Sequence, residues 1–201
     1  VDGFRMDVIN LISKPASLTS GGPIDPGAAD FEQVANGPRL DEFLAEMNRE
    51  VGLEDQNLLT VGEMPGATIE VARRVTDPER RELNMVFTFE HVSVDQEPGG
   101  MKWQLKPLHL PDLKKTMAAW QEGLADEGWN SLYFCNHDQP RVVSRFGDDS
   151  PEHRATAAKT IATVLHLHKG TPFVYQGEEL GMTNAGFRRL EDYRDIESIN
   201  F

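Results

Sequence analysis

Acidic side chains follow several strand-like runs of the sequence at equivalent positions. Asp7 stands near the end of GFRMDVIN, and Arg5 precedes it by two residues. Glu63 directly follows LLTVG, and Asp138 comes three residues after SLYFC. A lone carboxylate after a strand is usually the cap of the next helix, and an arginine so close to an aspartate usually makes a structural ion pair. Burying several carboxylates near one another is costly, so their recurrence favours a functional site.

More polar groups follow a further strand-like run, TPFVY. They are Gln176, Glu178 and Glu179. Because Glu178 and Glu179 are adjacent, they point in different directions, and we expect at least one of them to begin a helix. We therefore do not count these two glutamates among the candidate catalytic carboxylates, which are Asp7, Glu63 and Asp138.

Three carboxylates that follow parallel strands, and so gather at the same end of a sheet, suit glycoside hydrolysis. In retaining enzymes one carboxylate attacks the anomeric carbon while a second, protonated one gives its proton to the leaving oxygen, and the two groups lie about 5–5.5 Å apart. A third carboxylate can stabilise the positive charge of the transition state. Spacing alone does not decide which residue has which role.

The elements that would position these groups alternate between strand and helix. Strands are predicted at residues 3–9, 58–62, 84–90, 131–135 and 171–175. Helices are predicted at residues 40–51, 68–75, from Pro111, and at 151–168, with a short one near 193–198. A Gly/Pro/Ser-rich stretch at residues 13–38 is too long for an ordinary connection and is interpreted as a functional loop. The alternation predicts an α/β fold with a parallel sheet covered by helices, and no glycine-rich phosphate motif supports a nucleotide fold.

Composition restricts the class of protein and its partners. The 201 residues are 39% hydrophobic and carry 33 acidic against 20 basic side chains, for a formal charge of −13. Such a surface repels nucleic acid, and no apolar run approaches the length of a membrane span. The single cysteine, Cys135, cannot form an internal disulfide, which fits the reducing cytoplasm, where we expect the protein to act. The chain begins at Val1, and we interpret it as cut from a longer protein.

At these residues the sequence resembles the α-amylase superfamily of glycoside hydrolases. GFRMDVIN, VGEMPG and FCNHDQPR are similar, in order, to three of its four signature regions, and TPFVYQGEELGM is similar to its eighth barrel strand and the loop beyond. The resemblance covers nearly all of the chain. It implies a partial TIM (β/α)8 barrel, with residues 1–201 supplying strands four to eight of a single catalytic domain.

The resemblance also implies roles by position. Asp7 would be the nucleophile, and Arg5 would orient it. Glu63 would be the general acid and then the base. Asp138 would bind the sugar hydroxyls at C2 and C3, and His137 would hydrogen-bond to the same sugar or, alternatively, serve as a packing residue.

Within the superfamily the sequence looks most like oligo-1,6-glucosidases and dextran glucosidases. Val8, directly after the nucleophile position, goes in that group with α-1,6 preference, although ordinary strand packing explains it equally well. The implied activity is that of a retaining exo-α-glucosidase acting on isomalto-oligosaccharides. Trehalose-6-phosphate hydrolases are near relatives whose phosphate site Lys102 and Lys106 could serve, and a non-catalytic barrel relative is a further alternative.

The family needs no organic cofactor, and we expect none, although a structural calcium ion is compatible with the full-length protein. An acidic cluster could bind a cation, but a solvated loop and helix start explains it better: Asp148, Asp149 and Glu152.

Half a barrel leaves two open sheet edges, so we expect the isolated chain to self-associate and to lack activity.

Overall fold

Five parallel strands form one sheet in the computed structural model, which describes residues 1–14, 34–98, 100 and 103–200. The strands are β1 (Gly3–Met6), β2 (Leu59–Glu63), β3 (Met85–Phe87), β4 (Asn130–Leu132) and β5 (Thr171–Pro172). They lie in the order of the chain, β1-β2-β3-β4-β5, and every neighbouring pair is parallel. The α/β fold expected from the alternation is confirmed.

Helices follow or separate the strands. They are α1 (Leu40–Val51), α2 (Ile69–Val75), α3 (Leu110–Gly123), α4 (Val142–Phe146), α5 (Arg154–Leu167) and α6 (Ile196–Asn200). Single 3-10 turns occur at Ile9–Leu11, Pro78–Arg80, Glu90–Val92, Glu178–Leu180 and Leu190–Asp192. The last α-helix and the turn before it correspond to the short helix expected near residues 193–198.

The start of α2 shows how local chemistry sets an element. Thr68 has extended backbone, and its hydroxyl oxygen accepts a hydrogen bond from the backbone N–H of Val71 at 3.2 Å. This bond satisfies one of the N–H groups that have no partner inside the helix, so the cap predicted at Thr68 is confirmed. The capped helix then buries Ala72 and Val75 completely.

One apolar core packs against β2 and β3 and holds the first three helices in place. Its buried members are Leu40, Leu44, Met64, Ala67, Ala72, Val75, Leu83, Val86, Trp120 and Leu124. The indole of Trp120 donates to Glu90 Oε2 at 2.7 Å, which satisfies its polar atom inside the core. Because Met64 belongs to this core, the residue directly before it, Glu63, is anchored at the end of β2.

Close contacts fix the strands that carry the site. A side chain at Gly62 would place its Cβ 2.7 Å from Leu83 and 3.0 Å from Ile9, so any other residue here would force the side chain of Leu83 to shift. The Asn84 side-chain oxygen accepts from the Thr60 backbone N–H at 2.7 Å, and the Asn84 N–H donates to the Thr60 hydroxyl at 2.9 Å. These reciprocal bonds align the start of β3 with β2.

Several predicted strand ends are wrong. β1 stops at Met6 rather than at residue 9, because Val8 takes a left-handed conformation and a 3-10 turn follows. β3 ends at Phe87 rather than at residue 90, where another 3-10 turn begins. β4 lies at Asn130–Leu132 rather than 131–135. β5 comprises Thr171–Pro172 rather than 171–175, and further along the Tyr175 N–H donates to the Glu178 carboxylate instead of to a neighbouring strand.

Helix limits also differ in places. α5 begins at Arg154 rather than Pro151, since the Ser150 carbonyl accepts from both His153 and Arg154 and so forms a tight turn first. α4 was not predicted from the sequence. Of the loop predicted at residues 13–38, residues 15–33 lie outside the described part of the chain.

The chain divides into two compact units. The first consists of Val1–Tyr133 and Leu165–Phe173, and it contains all five strands. The second consists of Phe134–Val164 and Val174–Phe201. The assignment of residues 1–201 to one catalytic domain stays a prediction.

Candidate active site at the carboxyl ends of β1 and β2

Asp7 and Glu63 lie at the same edge of the sheet, in the first unit. In the parallel register Arg5 is opposite Val61 and Met6 is opposite Gly62. Asp7 and Glu63 are the next residues after this pair, one on each chain segment. The expectation that these two carboxylates share a rim is therefore met by the strand pairing.

One guanidinium contacts both carboxylates. Arg5 Nη1 pairs with Asp7 Oδ1, and Arg5 Nη2 lies 2.6 Å from Glu63 Oε1. The planar fork of arginine can hold two acceptors in fixed positions, which lysine cannot do. The Arg5–Asp7 ion pair expected on structural grounds is present, and it extends to a second carboxylate that was not expected.

The two carboxylates sit in different surroundings. The side chain of Glu63 is 7% exposed and that of Asp7 is 76% exposed. Burial raises the pKa of Glu63, and the hydrogen bond and negative charge of Asp7 raise it further. The Val8 N–H and the Arg5 charge lower it, but the net shift of the pKa is upward. A buried carboxyl group with a raised pKa beside a solvated carboxylate is the arrangement that acid-assisted nucleophilic attack requires.

Val8 contributes its backbone to this site. Its N–H donates to Glu63 Oε2 at 3.1 Å, with φ of 35° and ψ of 44°. A β-branched residue in the left-handed region is a conformational outlier whose strain is about 1–3 kcal/mol. The interpretation of Val8 as ordinary strand packing is wrong, since Val8 lies beyond β1.

His137 and Asp138 lie together in the second unit. Asn136 Oδ1 accepts from the Asp138 N–H at 2.8 Å, which makes a local turn. His137 Nε2 lies 3.2 Å from Asp138 Oδ2, and both side chains are more than half exposed. The pair is therefore open to a ligand, and its roles in catalysis stay a prediction.

Glu178 and Glu179 have structural partners within the same second unit. Glu178 Oε2 accepts from the Tyr175 N–H at 3.1 Å, and Glu179 Oε2 accepts from the Gly177 N–H at 2.8 Å. The 3-10 turn Glu178–Leu180 starts at these residues, as expected for at least one of them. Nearby, Arg141 donates to the Gln176 carbonyl at 2.6 Å.

The described ranges carry neither a cluster of metal-ligating side chains nor a membrane-spanning helix. Within them, no three His, Cys, Asp or Glu side chains are placed to hold a metal ion, and no helix is long and apolar enough to cross a membrane. Asp148 accepts from Ser150, which lowers its pKa and supports the turn interpretation of that acidic cluster. Of the two candidate phosphate ligands, Lys106 is partly exposed, and Lys102 lies outside the described residues.

Comparison with known proteins gives a consistent result. The family described as "Alpha amylase, catalytic domain" matches residues 1–200. The oligo-1,6-glucosidase of Parageobacillus thermoglucosidasius is 57% identical over 202 residues, covering all of this chain and 35% of that protein. The oligo-1,6-glucosidase of Halalkalibacterium halodurans is 56% identical, with 100% of this chain and 36% of that protein covered.

A solved structure agrees with these relatives. The crystal structure of Bacillus licheniformis trehalose-6-phosphate hydrolase superimposes with a TM-score of 0.87 at 49% identity, over 100% of this chain and 35% of that one. The chain thus spans about a third of the length of the proteins it matches. It belongs to the α-amylase catalytic-domain family, and its five parallel strands are a partial TIM barrel of that family.

Proposed function

We propose that the protein is a retaining exo-α-glucosidase that hydrolyses terminal α-1,6-glucosidic bonds of isomalto-oligosaccharides. The observation that carries this proposal is the Arg5 guanidinium, which holds the exposed Asp7 and the buried Glu63 beside each other. Two carboxylates in such different environments can take opposite protonation states at one pH.

In the proposed reaction Asp7 attacks the anomeric carbon while Glu63 transfers its proton to the leaving oxygen. The glycosidic bond breaks, and a covalent glucosyl ester of Asp7 forms. Glu63, now ionised, takes a proton from water as that water attacks the same carbon, which releases glucose and restores both carboxyl groups. Asp138 and His137 would bind the sugar hydroxyls, and no cofactor enters any step.

The α-1,6 preference rests on Val8 and on the names of the two oligo-1,6-glucosidases above. Val8 would border the pocket for the leaving sugar. Valine and threonine differ there by one hydroxyl, so the expected effect on linkage preference is modest.

Two other functions stay open. A trehalose-6-phosphate hydrolase is favoured by the solved relative at 49% identity, and it would need a phosphate site, to which Lys102 and Lys106 could contribute. A non-catalytic barrel relative is the other alternative, and the retention of Asp7, Glu63 and Asp138 argues against it.

The test compares isomaltose, maltose and trehalose-6-phosphate as substrates of the intact protein and of its Asp7→Asn variant. We expect isomaltose to give the highest kcat/KM and Asp7→Asn to abolish turnover. Asp126→Asn, a matched change at an exposed aspartate on the protein surface, should leave turnover unchanged. A higher kcat/KM on trehalose-6-phosphate would select the first alternative, and full activity of Asp7→Asn would select a site elsewhere.

We further propose that residues 1–201 alone are inactive and associate through the outer strands β1 and β5. Within the described residues each of these strands pairs on one side only, and Phe4 on β1 is 46% exposed. Unpaired edges template pairing with other chains. A dilute sample of the chain that sediments as a stable monomer, or hydrolyses isomaltose rapidly, would contradict this.

A further inference from the structure

Asn10, two residues after Val8, is completely buried, with 0% exposure. Its Nδ2 donates to the Pro65 carbonyl at 2.7 Å and to Asn36 Oδ1 at 3.1 Å. Its backbone carbonyl accepts from the Asn36 N–H at 2.9 Å. One asparagine therefore connects the segment after β1, the segment at Asn36 and the segment after β2.

Two hydrogen bonds close a small ring that contains Val8, Asn10, Pro65 and Glu63. Val8 bonds to the Glu63 side chain at 3.1 Å, and Asn10 bonds to Pro65 at 2.7 Å. One residue, Ile9, lies between Val8 and Asn10, and one residue, Met64, lies between Glu63 and Pro65. The two hydrogen bonds and two short chain segments thus fix the segment after β1 against the segment after β2.

We propose that Asn10 is a positioning residue that holds the Val8 backbone N–H against the Glu63 carboxylate. This inference rests on the proposed function, because it assigns Asn10 to the control of the group proposed as acid and base. Asn10 would act through Val8 and would not touch the substrate.

The conformation of Val8 needs such a constraint. Valine strongly disfavours the left-handed region, so its φ of 35° must be imposed by its surroundings. The local turn supplies one constraint, since the Leu11 N–H donates to the Val8 carbonyl at 2.9 Å. Asn10 supplies the constraint toward β2, which the turn cannot provide.

A purely structural role for Asn10 explains less. A buried carboxamide is costly unless its polar atoms are bonded, and an apolar side chain would fill the same space at lower cost. In the described part of the chain no donor reaches Asn10 Oδ1. The two hydrogen bonds of Nδ2 are therefore what the side chain contributes there.

The ionisation of Glu63 provides a specific readout. Among the described residues, the charged groups that act on it are Arg5 and Asp7, and neither contact involves Asn10. The Val8 N–H lowers the pKa of Glu63, so losing that donor moves the pKa upward. Glu63 then stays protonated to higher pH, and the alkaline limb of kcat/KM, which reports the general acid, moves the same way.

The experiment uses Asn10→Leu in the intact protein, which keeps the volume and removes both side-chain bonds. The substrates are isomaltose, whose leaving group needs a proton, and 4-nitrophenyl α-glucoside, whose leaving group does not. We expect the alkaline limb to move to higher pH, and kcat/KM to fall about tenfold more on isomaltose than on the nitrophenyl substrate, because the acid is misplaced.

The control is Asn36→Gly. Glycine accepts the φ of 53° at this position and keeps the backbone N–H that bonds to Asn10, while the Asn10–Pro65 bond remains. We expect this variant to lose stability but to keep the wild-type pH profile. If Asn10→Leu does not fold, Asn10→Ala is measured in the same way.

The outcomes separate the two proposals. If the wild-type protein hydrolyses neither substrate, the proposed function fails and the role of Asn10 fails with it. If the wild type hydrolyses both but Asn10→Leu keeps the wild-type alkaline limb and substrate ratio, only the role of Asn10 is overturned. Equal shifts in Asn10→Leu and Asn36→Gly would also overturn it, because they would indicate general loosening of the loops.

Discussion

Replacing Arg5 by methionine tests the geometry of the paired carboxylates. Arg5 contacts Asp7, whose side chain is 76% exposed, and lies 2.6 Å from Glu63, whose side chain is 7% exposed. An exposed ion pair contributes about 0.5 kcal/mol, and a charge-assisted hydrogen bond to a buried carboxylate about 2 kcal/mol. If the whole loss of about 2.5 kcal/mol falls on the transition state, kcat/KM decreases about 70-fold.

The same substitution has a predictable pH dependence. The Arg5 charge opposes the burial that raises the pKa of Glu63, so its removal raises that pKa further. Glu63 then remains protonated to higher pH, and the alkaline limb of kcat/KM moves upward. Arg5→Lys retains the charge but not the fork, so we expect a smaller loss with the alkaline limb near its wild-type position.

The assay is the pH dependence of kcat/KM on isomaltose for the intact protein and its variants. Arg49→Met is the matched control, because Arg49 makes an exposed ion pair with Glu50 at 2.9 Å. We expect Arg49→Met to be indistinguishable from wild type. Activity of Arg5→Met within threefold of wild type, or an equal loss in Arg49→Met, would refute the reasoning.

Three further predictions concern stability and reactivity. Thr68→Ala removes the N-cap bond to Val71 and should lower the free energy of unfolding, measured in urea titrations, by about 1 kcal/mol. Thr68→Ser keeps the hydroxyl and should not lower it. Equal losses in the two variants would contradict the capping role of Thr68. Burial raises the pKa of Glu82 in the folded protein, so the free energy of unfolding should decrease as pH rises from the pKa of Glu82 in the unfolded chain through its pKa in the folded protein. Glu82→Gln should make that decrease smaller. An unchanged pH dependence of the free energy of unfolding in Glu82→Gln would contradict this. Burial raises the pKa of Cys135 to about 11, so a thiol reagent at pH 8 should label only urea-unfolded protein; rapid labelling of native protein would contradict this.

The positions of Asp7 and Glu63 could be predicted from the sequence because each directly follows a strand-like run, GFRM or LLTVG. Parallel strands end at one edge of a sheet, so residues after GFRM and LLTVG had to share that edge. The cap at Thr68 could be predicted for a similar reason, since it depends on residues within one helical turn.

The contacts that define the site more finely could not be predicted. The bond from the Val8 N–H to Glu63 depends on a left-handed valine, which no local preference indicates. The bond from Asn10 to Pro65 joins residues 55 positions apart. Strand ends were predicted too long because side chains and 3-10 turns take over the backbone groups beyond Met6 and Phe87, and hydrophobic pattern alone does not show that change.

The most direct test of the proposed mechanism is to trap the covalent intermediate. The intact protein is incubated with a fluorinated glucosyl fluoride, which forms the glycosyl ester faster than water removes it, and its peptides are analysed by mass spectrometry. We predict one added fluoroglucosyl group on the peptide that contains Asp7, and none in Asp7→Asn. A label on Glu63 or Asp138, or hydrolysis of isomaltose with no trapped ester, would contradict the assignment of Asp7 as nucleophile.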